Sequence, residues 1–224
     1  MASRFLIIFA MCFTPALMAP GQRTFTNSAN NYEKITHENM PHNVRETFPT
    51  LLDITKKLTK LYVSGKQMRI TADVFNGASN LEMVDLSNGD IAEIESRAFL
   101  GAPKLKKLNL SGNNLKTLPR EMFPQNNVLK EIDLSNNKIE KLDRSTFKDL
   151  QHLKKLDLRN NNLKELNGLV FADLINLQEL DLTGNPIRSI DEEFFASLPS
   201  GLAFSFDDHT LDFKSLQLVE QWSL

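Results

Sequence analysis

The chain has 224 residues, 41% of them hydrophobic, a formal net charge of -2 and a single cysteine. That length holds one ordinary domain or one elongated repeat array. The balanced charge excludes a net pull toward nucleic acid or an anionic membrane, the lone cysteine excludes an internal disulfide, and the apolar content excludes a wholly disordered chain.

Residues 1–21 read MASRFLIIFAMCFTPALMAPG: Arg4 precedes an apolar run from Phe5 to Phe13, followed by Thr14, Pro15 and small residues. A basic start, a short apolar core and a small-residue exit predict a secretory signal peptide, with cleavage after Gly21. A buried N-terminal strand or helix is the structural alternative. The run is well short of the roughly 20 residues that span a bilayer. Cys12 lies inside it, so processing leaves 203 residues (224 minus 21) and no cysteine. Residues 22–57 are expected to flank and cap the N-terminal end, through Phe48, Leu51, Leu52 and Ile54.

From there the chain repeats. LEMVDLSNGDIAEIESRAFLGAPK starts at Leu81 and LKKLNLSGNNLKTLPREMFPQNNV at Leu105. LKEIDLSNNKIEKLDRSTFKDLQH starts at Leu129, LKKLDLRNNNLKELNGLVFADLIN at Leu153 and LQELDLTGNPIRSIDEEFFASLPS at Leu177, a period of 24. A unit one residue shorter begins at Leu58, and a degenerate seventh runs through Phe204, Phe206 and Leu211.

This LxxLxLxxNxL pattern resembles the leucine-rich repeat family over residues 58–214. The unit length and recurrent Phe resemble its extracellular class, found in animal surface receptors and secreted proteins. The resemblance implies an α/β solenoid, a horseshoe or arc. A parallel β-sheet would line its concave side, and short helices, 3₁₀ turns and loops its convex side. Extracellular relatives usually carry cysteine-bearing caps, and this sequence departs from that pattern.

Within each unit, LxxLxL predicts a short strand whose leucines point inward while the residue between them faces out. Asn113, Asn137, Asn161 and Asn185 recur at the following turn, where a buried carboxamide can serve both backbone donors and acceptors; they predict an internal ladder. Gly89 and Lys66 stand at that place in the first two units, so the ladder is expected to fail there. Phe75, Phe99, Phe123, Phe147, Phe171 and Phe195 fall one period apart and predict an aromatic spine under the convex side. Leu211, Phe213, Leu216, Leu218, Val219 and Trp222 are expected to fold over the last coil, with residues 215–224 as the C-terminal cap. Either end could instead pair with a second chain as a homodimer.

The outward strand positions form the candidate binding surface. One column is Tyr62, Asp85, Asn109, Asp133, Asp157, Asp181 and Ser205; beside it run Lys60, Met83, Lys107, Glu131, Lys155, Glu179 and Ala203, with Arg159 just past the strands. Such a mixed, acid-centred strip suits an extracellular protein or peptide carrying basic groups. The competing view is that Asp at this position serves the scaffold or solubility. Asn109-Leu110-Ser111 is a glycosylation sequon, and a glycan on Asn109 would stand in the middle of the strip.

Catalytic chemistry is not predicted. His37, His42, His152 and His209 are scattered without metal-ligand spacing, and no phosphate-cradling glycine-rich loop is present. Carboxylates on an open sheet lack the enclosure that separates catalytic pKa values. The sequence therefore predicts a secreted, non-enzymatic binding module without cofactor, metal, nucleic-acid partner or membrane span. A self-associating matrix protein and a cytoplasmic scaffold are the alternatives.

Overall fold

The computed structural model describes residues 5–7, 32–34, 59–62, 70–72, 74–123 and 128–222. The repeat unit sets the architecture. One three-residue strand opens each coil: β3 (Lys60–Tyr62), β4 (Met83–Asp85), β5 (Lys107–Asn109), β6 (Glu131–Asp133) and β7 (Lys155–Asp157). The series continues with β9 (Glu179–Asp181) and β11 (Ala203–Ser205). All pair in parallel in one nine-stranded sheet, whose other edge is completed by β1 (Phe5–Ile7) and β2 (Tyr32–Lys34). Apart from these two strands, the expected export signal (1–21) and N-terminal flank (22–57) lie outside the described residues.

Parallel strands need a long crossover to return to the same side, and each coil supplies it along its convex arc. A small second sheet forms on that arc from β8 (Glu165–Leu166) and β10 (Ser189–Ile190). A 3₁₀ turn at Gly168–Val170 and the helix α1 (Glu193–Ser197) lie nearby, and the rest of the described arcs is mainly turns and irregular chain. The helix α2 (Phe213–Trp222) follows β11. The expected solenoid is present; its convex side carries fewer helices than the expected mixture suggests.

The inward leucines form one continuous core. Leu108, Leu110, Ile132, Leu134, Leu156, Leu158, Leu180 and Leu182 are all buried. No single coil could hide this surface; the neighbouring coils cover it.

The turn after each strand is built by side-chain amides. Asn113 Oδ1 accepts from the Gly89 and Ile91 N–H groups (2.9 and 3.0 Å). Asn137, Asn161 and Asn185 repeat the pattern, accepting from Leu115, Ile139 and Leu163 at 3.0–3.1 Å. Each Nδ2 donates to a carbonyl of its own coil and one of the preceding coil, for Asn161 Leu158 O (2.9 Å) and Leu134 O (3.0 Å), with a longer contact to Arg159 O at 3.3 Å. Gly89 has no carboxamide to offer, but its backbone N–H is taken up by the next rung. Lys66 lies outside the described residues.

One position before each ladder Asn, and before Gly89 at the same place, the chain turns through positive φ at Asn88, Gly112, Asn136, Asn160 and Gly184. Only glycine and asparagine fill this column, the residues that enter the left-handed region at least cost.

The aromatic column departs from the expected spine in one coil. Phe75 stacks on Phe99 (5.1 Å) and Phe99 on Phe123 (6.2 Å), while Phe147 lies against Phe171 at 6.4 Å. The next ring is Phe194, not Phe195: Phe194 is fully buried and meets Phe171 edge-on at 5.4 Å. The reason is local. Helix α1 replaces the irregular arc here, and its geometry turns Phe194 inward. Phe195 is left half-buried, packed on Phe194 and Phe204. Gly168 permits the approach, since a Cβ there would sit 2.5 Å from the Glu193 carbonyl.

The C-terminal lid is also narrower than expected. Leu211 is buried and Val219 packs on the core, and buried Ser215 accepts the Ile190 N–H through its hydroxyl (2.8 Å). Phe213 (77% exposed) and Leu216 (37%) face away from it, because α2 places them on its outer side. The Trp222 side chain lies outside the described residues. Helix α2 begins at Phe213, inside the range read from the sequence as the seventh unit.

Candidate binding face

The strand register brings the predicted surface residues together on the concave sheet. Lys107, Glu131, Lys155 and Glu179 are successive neighbours across the strands, as are Asn109, Asp133, Asp157 and Asp181. Adjacent strands lie about 4.8 Å apart, so side chains in each row meet directly.

The two rows resolve their charges differently. In the first, opposite signs alternate and pair: Lys107 with Glu131 at 2.7 Å, and Lys155 with Glu179 at 2.5 Å. The Glu179 hydrogen bond holds the Lys155 ammonium above its ordinary pKa. These pairs are half exposed, and such pairs contribute little to stability.

The second row turns inward on its own backbone. Asp85, Asn109, Asp133, Asp157 and Asp181 each accept, through Oδ1, the N–H two residues ahead at 2.9–3.1 Å. Ser111 and Thr183 add hydroxyl hydrogen bonds to Asn109 and Asp181, both 2.7 Å. These are Asx turns, which end each strand and steer the chain into the Asn-bearing bend. The row therefore has a structural role, the scaffold role weighed against the binding strip, and the Asx turns give it a geometry. The signal was present in the sequence as Asp-x-Ser, Asn-x-Ser and Asp-x-Thr at successive strand ends.

Asp157 is the deepest member of the row, at 6% exposure. Burial pushes its carboxyl above the ordinary value, and the neighbouring Asp133 and Asp181 add to the rise. The Arg159 N–H and the guanidinium, 3.1 Å away, oppose it. A carboxyl raised on folding binds more protons in the native state, so stability rises as pH falls through the folded pKa. The gain is complete below the ordinary value of 3.8. Asp157→Asn keeps the acceptor for Arg159 and removes the buried charge. Its melting temperature at neutral pH should equal or exceed that of the parent, with the gap closing on acidification. A variant that melts lower at neutral pH would show that the charge stabilises the fold through Arg159.

The remaining predicted residues sit at the margins. Tyr62 is half-buried, its hydroxyl 3.6 Å from the Met83 sulfur. Arg159 is exposed beyond β7. Asn109 is half-buried in the sheet floor between Asp85 and Asp133, its carboxamide oxygen occupied by Ser111. On the convex side a depression of about 520 Å³ is lined by Arg97, Leu100, Arg120, Phe123 and Lys148 among others. Its arginines are paired, Arg97 with Glu121 and Arg120 with Asp143, each at 2.9 Å. His152 and His209 are exposed, and His37 and His42 lie outside the described residues. Among the described residues no three His, Cys, Asp or Glu side chains group as a metal site, and no helix is long and apolar enough to cross a membrane.

Comparison with known proteins agrees with this geometry. Among solved structures, the chain is similar to Toll in a Drosophila Toll–Spatzle complex, at 28% identity and a TM-score of 0.66. That match covers 76% of this chain and 23% of the other. It is also similar to TLR13 in a complex with ssRNA13, at 27% identity and a TM-score of 0.60, covering 70% of this chain and 22% of the other. The chain thus spans less than a quarter of the length of these receptor chains. No curated protein sequence matches it. The leucine rich repeat family model matches over residues 56–115, 79–139 and 127–187, more than half of the chain. With its strands, Asn turns and core in the same period, the chain belongs to the leucine-rich repeat family.

Proposed function

We propose that this protein is a secreted, non-enzymatic module that binds a protein or peptide through its concave face. The observation that carries the reading is the row Asp133, Asp157 and Asp181. These three carboxylates stand side by side on an open sheet, and among the described residues only Asp157 has an ion pair, to Arg159. A partner with matching basic groups gains register and encounter rate from such a row. Toll with Spatzle and TLR13 with ssRNA13 are complexes of similar arrays with a ligand, which supports a binding role. The basic start, short apolar core and small-residue exit of residues 1–21 support export, whereas the pairing of Phe5–Ile7 with β3 favours the alternative of an N-terminal strand retained in the fold.

Since these carboxylates also end the strands, charge reversal would disturb the turns. The informative variant is the triple Asp133→Asn, Asp157→Asn, Asp181→Asn, which keeps every acceptor and removes three charges. A synthetic lysine- and arginine-rich peptide should bind the parent and lose at least tenfold in affinity to the triple variant, with an acidic peptide binding neither. Equal affinity of the basic peptide for parent and variant would reject the acidic row as the contact.

A further inference from the structure

A third row of side chains lies at the corner where each convex arc turns into its strand. We infer that this corner, centred on Lys130 and Lys154, is a docking site for a linear sulfated polysaccharide. The site is separate from the acidic row in position and ligand chemistry.

The backbone stacks the row. Lys106 O accepts the N–H groups of both Lys130 and Glu131 (2.8 and 3.0 Å), and Lys130 O accepts those of Lys154 and Lys155 at the same distances. Lys106, Lys130 and Lys154 are therefore held one above another, about 4.8 Å apart at each step. Lys106 is matched by Glu82 at 2.9 Å. Lys130 and Lys154 are exposed and have no ion pair among the described residues. Lys104, just before the row, is also exposed, its ammonium donating to the neutral Asn80 carboxamide at 2.7 Å.

Like charges on neighbouring strands repel and destabilise a sheet. The adjacent row, which opens the strands themselves, solves that problem by alternating Lys and Glu. The acidic row has a structural use in its Asx turns. Past Lys106, Lys130 and Lys154 have among the described residues neither an acidic partner nor a side-chain bond to backbone, and a local rule broken without internal compensation points to an external ligand.

Lysine presents compact point charges rather than the planar fork of arginine, which suits repeated anionic groups met in no fixed orientation. The spacing along the row presents those charges to a chain running parallel to the solenoid axis. Single-stranded nucleic acid would also be polyanionic, but its binding sites add aromatic platforms for the bases. No exposed aromatic residue is described beside this row; Phe213, the large exposed aromatic, lies in α2.

The test is a titration of the full chain with heparin oligosaccharide over a range of salt concentrations. Affinity should fall linearly with salt on logarithmic axes, and Lys130→Ala with Lys154→Ala should reduce the slope by about 2, one per released ammonium contact. Lys116→Ala with Lys164→Ala, exposed on the opposite flank, should leave the slope within error. The three-Asn variant of the acidic row should retain heparin binding, so this assignment and the acidic-row reading fail separately. A thermal melt equal to or above the parent's shows that the double variant is folded. An unchanged slope would overturn the assignment, as would equal retention of neutral dextran. Single-stranded RNA binding tighter than heparin with the same loss in the variant would also overturn it.

Discussion

Replacing Asn161 with alanine should destabilise the array by about 2–6 kcal/mol, although the side chain touches no ligand. The figure follows from three buried bonds. Ile139 N–H loses the acceptor 3.0 Å away, and an orphaned buried donor costs about 1–3 kcal/mol. Leu134 O and Leu158 O each lose one of two carboxamide donors but keep those of Asn137 and Asn185, so each contributes about 0.5–1.5 kcal/mol. Thermal unfolding reads the change at about 2–4 °C per kcal/mol for a chain of this size. Asn162→Ala, one position on and exposed, is the control and should stay within about 0.5 kcal/mol. Equal melting of the two variants would remove the ladder from the account of stability.

Phe147→Ala should cost about 3–5 kcal/mol, because the ring is wholly buried beneath the convex arc and lies against Phe171. A paired comparison tests the register of the spine. Phe194→Ala should cost as much, while Phe195→Ala, which removes a half-buried ring, should cost clearly less. A reversed order would restore the simple 24-residue spacing. Guanidinium unfolding monitored by far-ultraviolet circular dichroism distinguishes the outcomes.

The period made most of the fold legible. Leucine, asparagine and phenylalanine recur because each coil faces the same neighbours, so one physical requirement is written several times over. Phe195 escaped this logic because the five residues of α1 change the local spacing, and two adjacent phenylalanines leave the inward ring open to either. The C-terminal lid is not repeated, so nothing in the sequence separated inward Val219 from outward Phe213. In the candidate site, alternation identified the outward residues but not their tasks. Asp133 looks like a ligand contact until the Ser135 N–H is seen on its carboxylate. The lysine corner escaped notice because Lys106, Lys130 and Lys154 lie before the strand pattern, where alternation assigns no face.

The strand register also has an evolutionary consequence. From β4 to β11 each strand meets the residue 24 positions on, whereas Tyr62 meets Asp85 after 23. Yet Ile70 bridges Ile94, again a step of 24, so the missing residue falls between Tyr62 and Ile70. A length change can thus be absorbed between two fixed points without shifting either. Gene duplications that copy whole units would join seamlessly at every seam, and small deletions would survive in such intervals while being purged from the strands. An array of this kind can lengthen by whole coils and vary its displayed side chains while the existing coils keep the same neighbours.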